Sequence, residues 1–198
     1  MNKTKFGTIA TAVMAVGGVA GFIAGKAACK AIKSRKSGED IAIGAICVGS
    51  VDELKNEFTA DTLKKTLDLF IKSSGKRGNE FGFCVGDTDY AVRDYSVQLE
   101  LLDTEDFGDV MSDAKESEIV RCRNGAKYMY QRATDSEYLR EPLDSTLEWV
   151  EFHFKYCGKR VGVTMYFLPI AETQELDEQV IELFRTVMIS LIKGQKDA

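Results

Sequence analysis

The sequence predicts an α+β domain, with helices packed on an antiparallel sheet, behind an N-terminal transmembrane helix. Residues 6–25 carry no charge, later segments alternate apolar and polar side chains as half-buried strands do, and the C-terminal segment carries an apolar stripe at helical spacing. These observations divide the chain into an anchor with a basic flank (1–36), a linker and helical segment (37–79) and an antiparallel sheet with a C-terminal amphipathic helix (80–198).

The charges are distributed unevenly along the 198 residues. Residues 1–36 hold seven Lys or Arg and no acid, so residues 37–198 hold 19 basic and 31 acidic side chains. Because an acidic body repels phosphate backbones, this composition argues against nucleic-acid binding by the main domain. The basic head suits the anionic surface of a membrane instead.

The uncharged residues 6–25 are long enough, as a helix, to cross a hydrocarbon core of about 30 Å. Five Lys or Arg follow this segment and two precede it, which predicts an uncleaved single-pass anchor with the main domain in the cytoplasm. Gly17, Gly21 and Gly25 line one helix face and predict close packing in a glycine zipper. A peripheral helix and a secretory signal stay open as alternatives.

Two helices are predicted after the anchor. Residues 41–49 are apolar and indicate a buried strand or the start of a helix. Ser50 has the form of a helix cap, with Glu53 three residues on as in a capping box. Asp61 begins a second helix, whose apolar face comprises Leu63, Leu67, Phe70 and Ile71.

The first strands are predicted from alternation and from a turn motif. Residues 95–101 alternate as a half-buried strand. Asn124-Gly125 favours a two-residue type I′ turn, because both residues tolerate positive φ. With that turn, Val120 would face Met129 in the hairpin.

A second hairpin is predicted around a II′ turn at Gly158-Lys159. Its apolar face would hold the pairs Tyr156–Val161, Phe154–Val163, Phe152–Met165 and Val150–Phe167. Its other face, which we expect to be solvated, carries Glu151, His153, Lys155, Thr164 and Tyr166. The terminal helix that follows would cover the apolar face with Leu176, Val180, Ile181, Phe184, Val187, Met188, Leu191 and Ile192.

Two parts of the chain resemble known families. The Gly- and Ala-rich helix that ends in the run Lys33-Ser34-Arg35-Lys36 resembles the anchor of YtxH-type small bacterial membrane proteins, which implies a membrane location and no chemistry. The order of hairpin, irregular segment, long hairpin and terminal helix over residues 80–193 resembles the topology of Mog1/PsbP-like domains. That resemblance implies an accessory, partner-binding module without catalysis.

The candidates for chemistry are few. His153 is the only histidine, and with Glu151 and Tyr166 it forms a conceivable acid/base site for a small hydrolase. Residues 100–118 carry eight acids against one Lys, but they do not fit an EF-hand, and irregular calcium binding stays open. The five cysteines are at least 18 residues apart, which predicts neither a disulfide framework nor a CxxC motif.

These observations favour a non-enzymatic, membrane-anchored protein whose acidic α+β domain binds a partner. We expect the N-terminal helix to contact lipid and the chain to bind a protein or a second copy of itself, with no nucleic acid, metal or cofactor. An exported envelope accessory protein is the alternative function, followed by a hydrolase that uses His153.

Overall fold

The computed structural model describes residues 43–75, 79–86, 93–115, 118–123, 125–135, 147–169 and 171–195. These residues form an α+β fold with a seven-stranded sheet and four α-helices, which confirms the predicted class. The predicted anchor, with Gly17, Gly21 and Gly25, lies outside the described ranges. No helix within those ranges combines the length and the apolar composition that a membrane crossing requires.

The elements follow one another in a simple order along the chain. They are β1 (Ala45–Val48), α1 (Val51–Glu57), α2 (Ala60–Lys72), β2 (Glu80–Val85), β3 (Arg93–Leu102), α3 (Thr104–Asp113), β4 (Ile119–Arg121), β5 (Lys127–Asp135), β6 (Leu147–Tyr156), β7 (Lys159–Phe167), a 3₁₀ turn (Ala171–Thr173) and α4 (Gln174–Gly194). The strand predicted at 95–101 is therefore the central part of β3.

The sheet is mixed, and the prediction of a purely antiparallel sheet is wrong. The strand order is β1-β2-β3-β7-β6-β5-β4, and β1 runs parallel to β2 whereas all other pairs are antiparallel. A parallel pair needs a crossover, and α1 and α2 supply it. Residues 45–48 therefore belong to the sheet, which extends it into the part of the chain predicted as linker and helices.

The long hairpin has its turn one residue earlier than predicted. Cys157 and Gly158 both have positive φ, 48° and 72°, so Tyr156 pairs with Lys159 around a turn of these two residues. Every predicted partner on β7 is thereby shifted by two residues: Phe152 faces Val163. Because side chains alternate with period two, this shift leaves each residue on its predicted face.

The hairpin around Asn124-Gly125 differs from the prediction by one residue. Val120 pairs with Tyr128 and not with Met129. The Cys122 N–H donates to the Ala126 carbonyl, which leaves three residues in the loop, with Gly125 at φ 82°. A three-residue loop with a left-handed glycine is the common alternative to the two-residue turn.

One face of the sheet carries the core. Phe83, Val97 and Val163 point to this face from β2, β3 and β7, and they are all but inaccessible to solvent. The predicted stripe of α4 is buried against it from Val180 to Ile192, with Leu176 partly buried, and Phe184 stacks on Phe58 between α1 and α2. We call this the first face. Burial of these aromatic and aliphatic side chains provides the main driving force for folding.

The caps of α1 and α2 define the crossover. The Ser50 side chain accepts from the Glu53 N–H, as predicted. Helix α2 begins one residue before the predicted Asp61 and is capped by Thr59, which exchanges reciprocal hydrogen bonds with Thr62. Both caps satisfy backbone donors that would otherwise lack partners.

The second face of the sheet is partly covered by α3. This helix contacts β6, and Asp106 of α3 lies within electrostatic reach of Glu100 on β3. Met129 and His153 point to this face and are buried there. The expectation that this face of the hairpin is solvated is therefore wrong at His153.

Candidate functional site

The predicted polar site around His153 is a buried one. His153 is 7% exposed, and its Nε2 lies 3.4 Å from Glu151 Oε2, which is long for a hydrogen bond. Its Nδ1 has no hydrogen-bond partner in the described part of the chain. Burial raises the pKa of the neighbouring Glu100, and the charge of His153 partly opposes this effect. His153 is therefore largely shielded from solvent by the elements around it.

Tyr166 is not part of this cluster. His153 lies opposite Gly162 on β7, and Tyr166 lies opposite Trp149, four residues further along the strand. Four residues of strand correspond to about 13 Å. The structure therefore places Glu151 beside His153 and separates Tyr166 from His153, so the three side chains do not converge on the imidazole as predicted.

A buried ionic cluster at one end of the first face was missed by the sequence analysis. Asp177 of α4 is 3% exposed and Arg93 of β3 is 5% exposed. Arg93 Nε and Nη2 donate to Asp177 Oδ1 at 3.0 and 2.8 Å, and Tyr95 Oη donates to the same oxygen at 2.6 Å. Arg93 also donates to the Leu168 carbonyl at 2.6 Å. Burial, and then the Asp177 carboxylate, raise the pKa of Tyr95, which stays a neutral donor.

A shallow cleft of about 150 Å³ opens beside this cluster. Arg132 bridges two carboxylates at its mouth, with 2.9 Å to Glu148 and 2.8 Å to Glu178. The lining residues are Arg132, Glu148, Phe167, Pro169, Ala171, Gln174, Asp177 and Glu178. Because the charges at its mouth pair with each other, we interpret the ion pairs of the cleft as structural contacts that link α4 to the sheet.

The outer side of α3 is an exposed, acidic feature of the described residues. Glu105, Asp109 and Asp113 recur every fourth residue and so form one line, which we call the acidic stripe. All three side chains are exposed, and the helix contains no basic residue. Asp103 is the N-cap of the helix, and its side-chain oxygen accepts a hydrogen bond from the Asp106 N–H. The stripe lies within the acidic run that the sequence analysis singled out.

The described residues contain no cluster of three or more His, Cys, Asp or Glu side chains placed to hold a metal ion. Irregular calcium binding by residues 100–118 thus has no preformed site in the part of that run that the structure describes. Comparison with family models, with curated proteins and with solved structures found no match.

Proposed function

We propose that the chain is a non-enzymatic, membrane-anchored protein whose α+β domain binds a basic protein surface through the acidic stripe. The observation that carries the proposal is the charge division of the chain: a basic, otherwise uncharged head precedes a body with 31 acidic and 19 basic side chains. Five Lys or Arg directly after residues 6–25 favour a cytoplasmic location for the body. The resemblances to YtxH-type anchors and to Mog1/PsbP-like accessory domains agree with this role.

The acidic stripe supports a binding role because it lowers the stability of its own helix. Glu105–Asp109 and Asp109–Asp113 are like-charge pairs at i,i+4, and each costs about 0.2–0.5 kcal/mol. Asp113 also lies in the last turn, where the helix dipole disfavours a negative charge. A basic partner would relieve both effects, and charges that cost stability in the free protein are typical of binding surfaces.

The partner test compares two full-length variants with the natural chain. The triple variant Glu105→Gln, Asp109→Asn, Asp113→Asn neutralises the stripe without changing side-chain size. We expect its unfolding free energy to rise by about 0.4–1 kcal/mol, because two repulsive pairs are removed and the helix-dipole effects lost at Glu105 in the first turn and at Asp113 in the last turn have opposite signs. We expect it to lose the salt-sensitive protein partner that the natural chain recovers from its own membranes in mild detergent.

A matched control removes the same number of charges elsewhere. Glu57→Gln, Asp61→Asn and Glu175→Gln are exposed sites on α1, α2 and α4. This control should retain the partner. A natural chain that stays strictly monomeric and recovers no protein, or a stripe variant that recovers the same proteins as the control, would refute the proposed binding function.

The anchor is tested by protease protection of a C-terminal tag in sealed, right-side-out vesicles, with a carbonate wash. A tag that stays with the membrane and is protected supports the cytoplasmic orientation. A digested tag, or a shorter chain released from the membrane, would support the alternative of an exported envelope protein instead. Replacing Gly17, Gly21 and Gly25 by Leu tests whether the N-terminal helix contributes to self-association.

A further inference from the structure

Two cysteines lie side by side on the second face of the sheet. Cys47 of the edge strand β1 and Cys84 of β2 are direct partners in the parallel ladder. Phe83 and Val85 point into the core, so Cys84 between them points to the opposite face. Both cysteines are partly accessible, and the Cys84 thiol lies in hydrogen-bonding contact with Cys47.

The spacing of this pair suits a disulfide. Direct neighbours on adjacent strands have Cα atoms about 4.8 Å apart. Disulfides are found at Cα separations of about 4.4–6.8 Å. Strand β1 has four residues and pairs only with β2 among the described strands, so it can adjust more easily than a central strand when the sulfur atoms approach.

A carboxylate next to the pair accepts a hydrogen bond from one of its thiols. Cys84 Sγ donates to Asp94 Oδ1 at 3.1 Å, across the β2–β3 ladder. Burial, together with Cys47 and Asp94, raises the pKa of Cys84. Because the thiolate is the reactive form, this raised pKa makes Cys84 a poor nucleophile for an external oxidant.

We propose that Cys47 and Cys84 are a redox pair that hydrogen peroxide converts into a cross-strand disulfide. The Cys47 sulfur attacks one peroxide oxygen, the O–O bond breaks, and a sulfenic acid and one water form. The Cys84 sulfur then attacks the Cys47 sulfur, the S–O bond breaks, and the second water leaves with the Cys84 proton. The two thiols lose two electrons, and peroxide takes them up together with two protons.

The disulfide would tie the edge strand to the interior of the sheet. The described contacts of β1 within the sheet are those with β2, and β1 is the first described element after the N-terminal segment. A covalent link at Cys47 would therefore suppress local opening of this strand, which is otherwise held by a short ladder. The redox state of the pair would therefore determine how strongly strand β1 is held at the edge of the sheet.

The test maps the bond in the full-length natural chain. The reduced protein is treated with hydrogen peroxide, blocked with N-ethylmaleimide and digested with trypsin without reduction. We expect the loss of two reactive thiols and one cross-linked species that joins the tryptic peptides 37–55 and 78–93. Thiol-specific reduction should restore both thiols. Amide exchange in β1 should be slower in the oxidised protein than in the reduced one.

Single variants then assign the bond. Cys47→Ala and Cys84→Ala should each abolish the cross-link, and Cys157→Ala, which removes an exposed thiol on the β6–β7 turn, should leave it intact. The proposal is overturned if Cys47 and Cys84 both stay reactive towards maleimide after peroxide treatment. It is equally overturned if Cys47 stops at the sulfenic acid, or if the mapped bond joins other cysteines. The mapping uses the unmodified chain, so its outcome does not depend on whether the variants fold.

Discussion

Replacing Asp177 by Asn should destabilise the domain more than any exposed charge change. The substitution keeps the size of the side chain, so it creates no cavity. It replaces the carboxylate that accepts from Arg93, 5% exposed, and from Tyr95 Oη by a neutral amide, so the buried guanidinium loses its counter-charge. Breaking a buried ion pair by removing one partner costs about 3–5 kcal/mol.

The expected loss is therefore about 4 kcal/mol, a large share of the roughly 5–15 kcal/mol that stabilises a typical domain. For a chain of this length such a loss lowers the melting temperature by roughly 8–16 °C. Trp149 is the only tryptophan and lies on β6, so its fluorescence reports urea unfolding of the sheet. The exposed pair of Glu182 and Arg185, 3.5 Å apart, supplies the control, and Glu182→Gln should change the unfolding free energy by less than 1 kcal/mol.

A second variant separates the cost of an unpaired buried charge from the net contribution of the ion pair to the unfolding free energy. The triple replacement Arg93→Met, Tyr95→Phe and Asp177→Leu removes donors and acceptor together. Because apolar side chains of similar size can replace a buried ion pair with little loss, most of the stability should return. An unfolding free energy for Asp177→Asn within 1 kcal/mol of that of the natural chain, or a triple variant as unstable as the single one, would refute the reasoning.

Three further predictions concern the sheet and the crossover. Burial raises the pKa of Glu100 in the folded protein, so ionisation of this carboxyl lowers the stability of the domain once the pH exceeds the pKa of Glu in the unfolded chain. Glu100→Gln should therefore raise the unfolding free energy at pH 7, measured by urea titration. This gain should vanish below about pH 4, where the carboxyl is protonated in both states. Gly82→Ala would place a Cβ 2.9 Å from the Tyr95 carbonyl oxygen and should cost about 1–3 kcal/mol in the same assay. Thr59→Ala removes the cap of α2, including its bond from Thr62 N–H, and should cost about 1 kcal/mol by thermal unfolding.

The periodic patterns predicted the elements well because burial on one face imposes them. The alternation in β3 and the apolar stripe of α4 repeat at the periods of a strand and a helix, and both elements are present. The Ser50 cap was predicted for a similar reason, since the hydrogen bond is local. The apolar run at residues 41–49 indicated either a strand or a helix start, and nothing local indicated its parallel pairing, because β2 lies across a crossover of two helices.

The turn of the long hairpin shows how a small error alters a site. The prediction assigned positive φ to Gly158 alone, but Cys157 adopts φ 48° as well, which moves the turn back by one residue. The resulting shift of two residues preserved the core and placed Gly162, and not Thr164, opposite His153. The core can be predicted from the face of the sheet on which each residue lies. A site can be predicted only if the register between the strands is also known.

The ionic cluster was missed because each of its charges is ambiguous within its own element. Asp177 lies in the first turn of α4, where acids are common, but it also precedes Val180 and Ile181 by three and four residues and so lies on the buried stripe. Arg93 lies at the start of β3, yet it shares the face of Tyr95. Since a buried charge without a partner is too costly to persist, two opposite charges on the core-facing sides of two elements imply a pair. Arg93 and Asp177 are 84 positions apart in sequence, so the pair can be inferred only from the core-facing sides of both elements. This inference would have placed the N-terminal turn of α4 next to the first residue of β3.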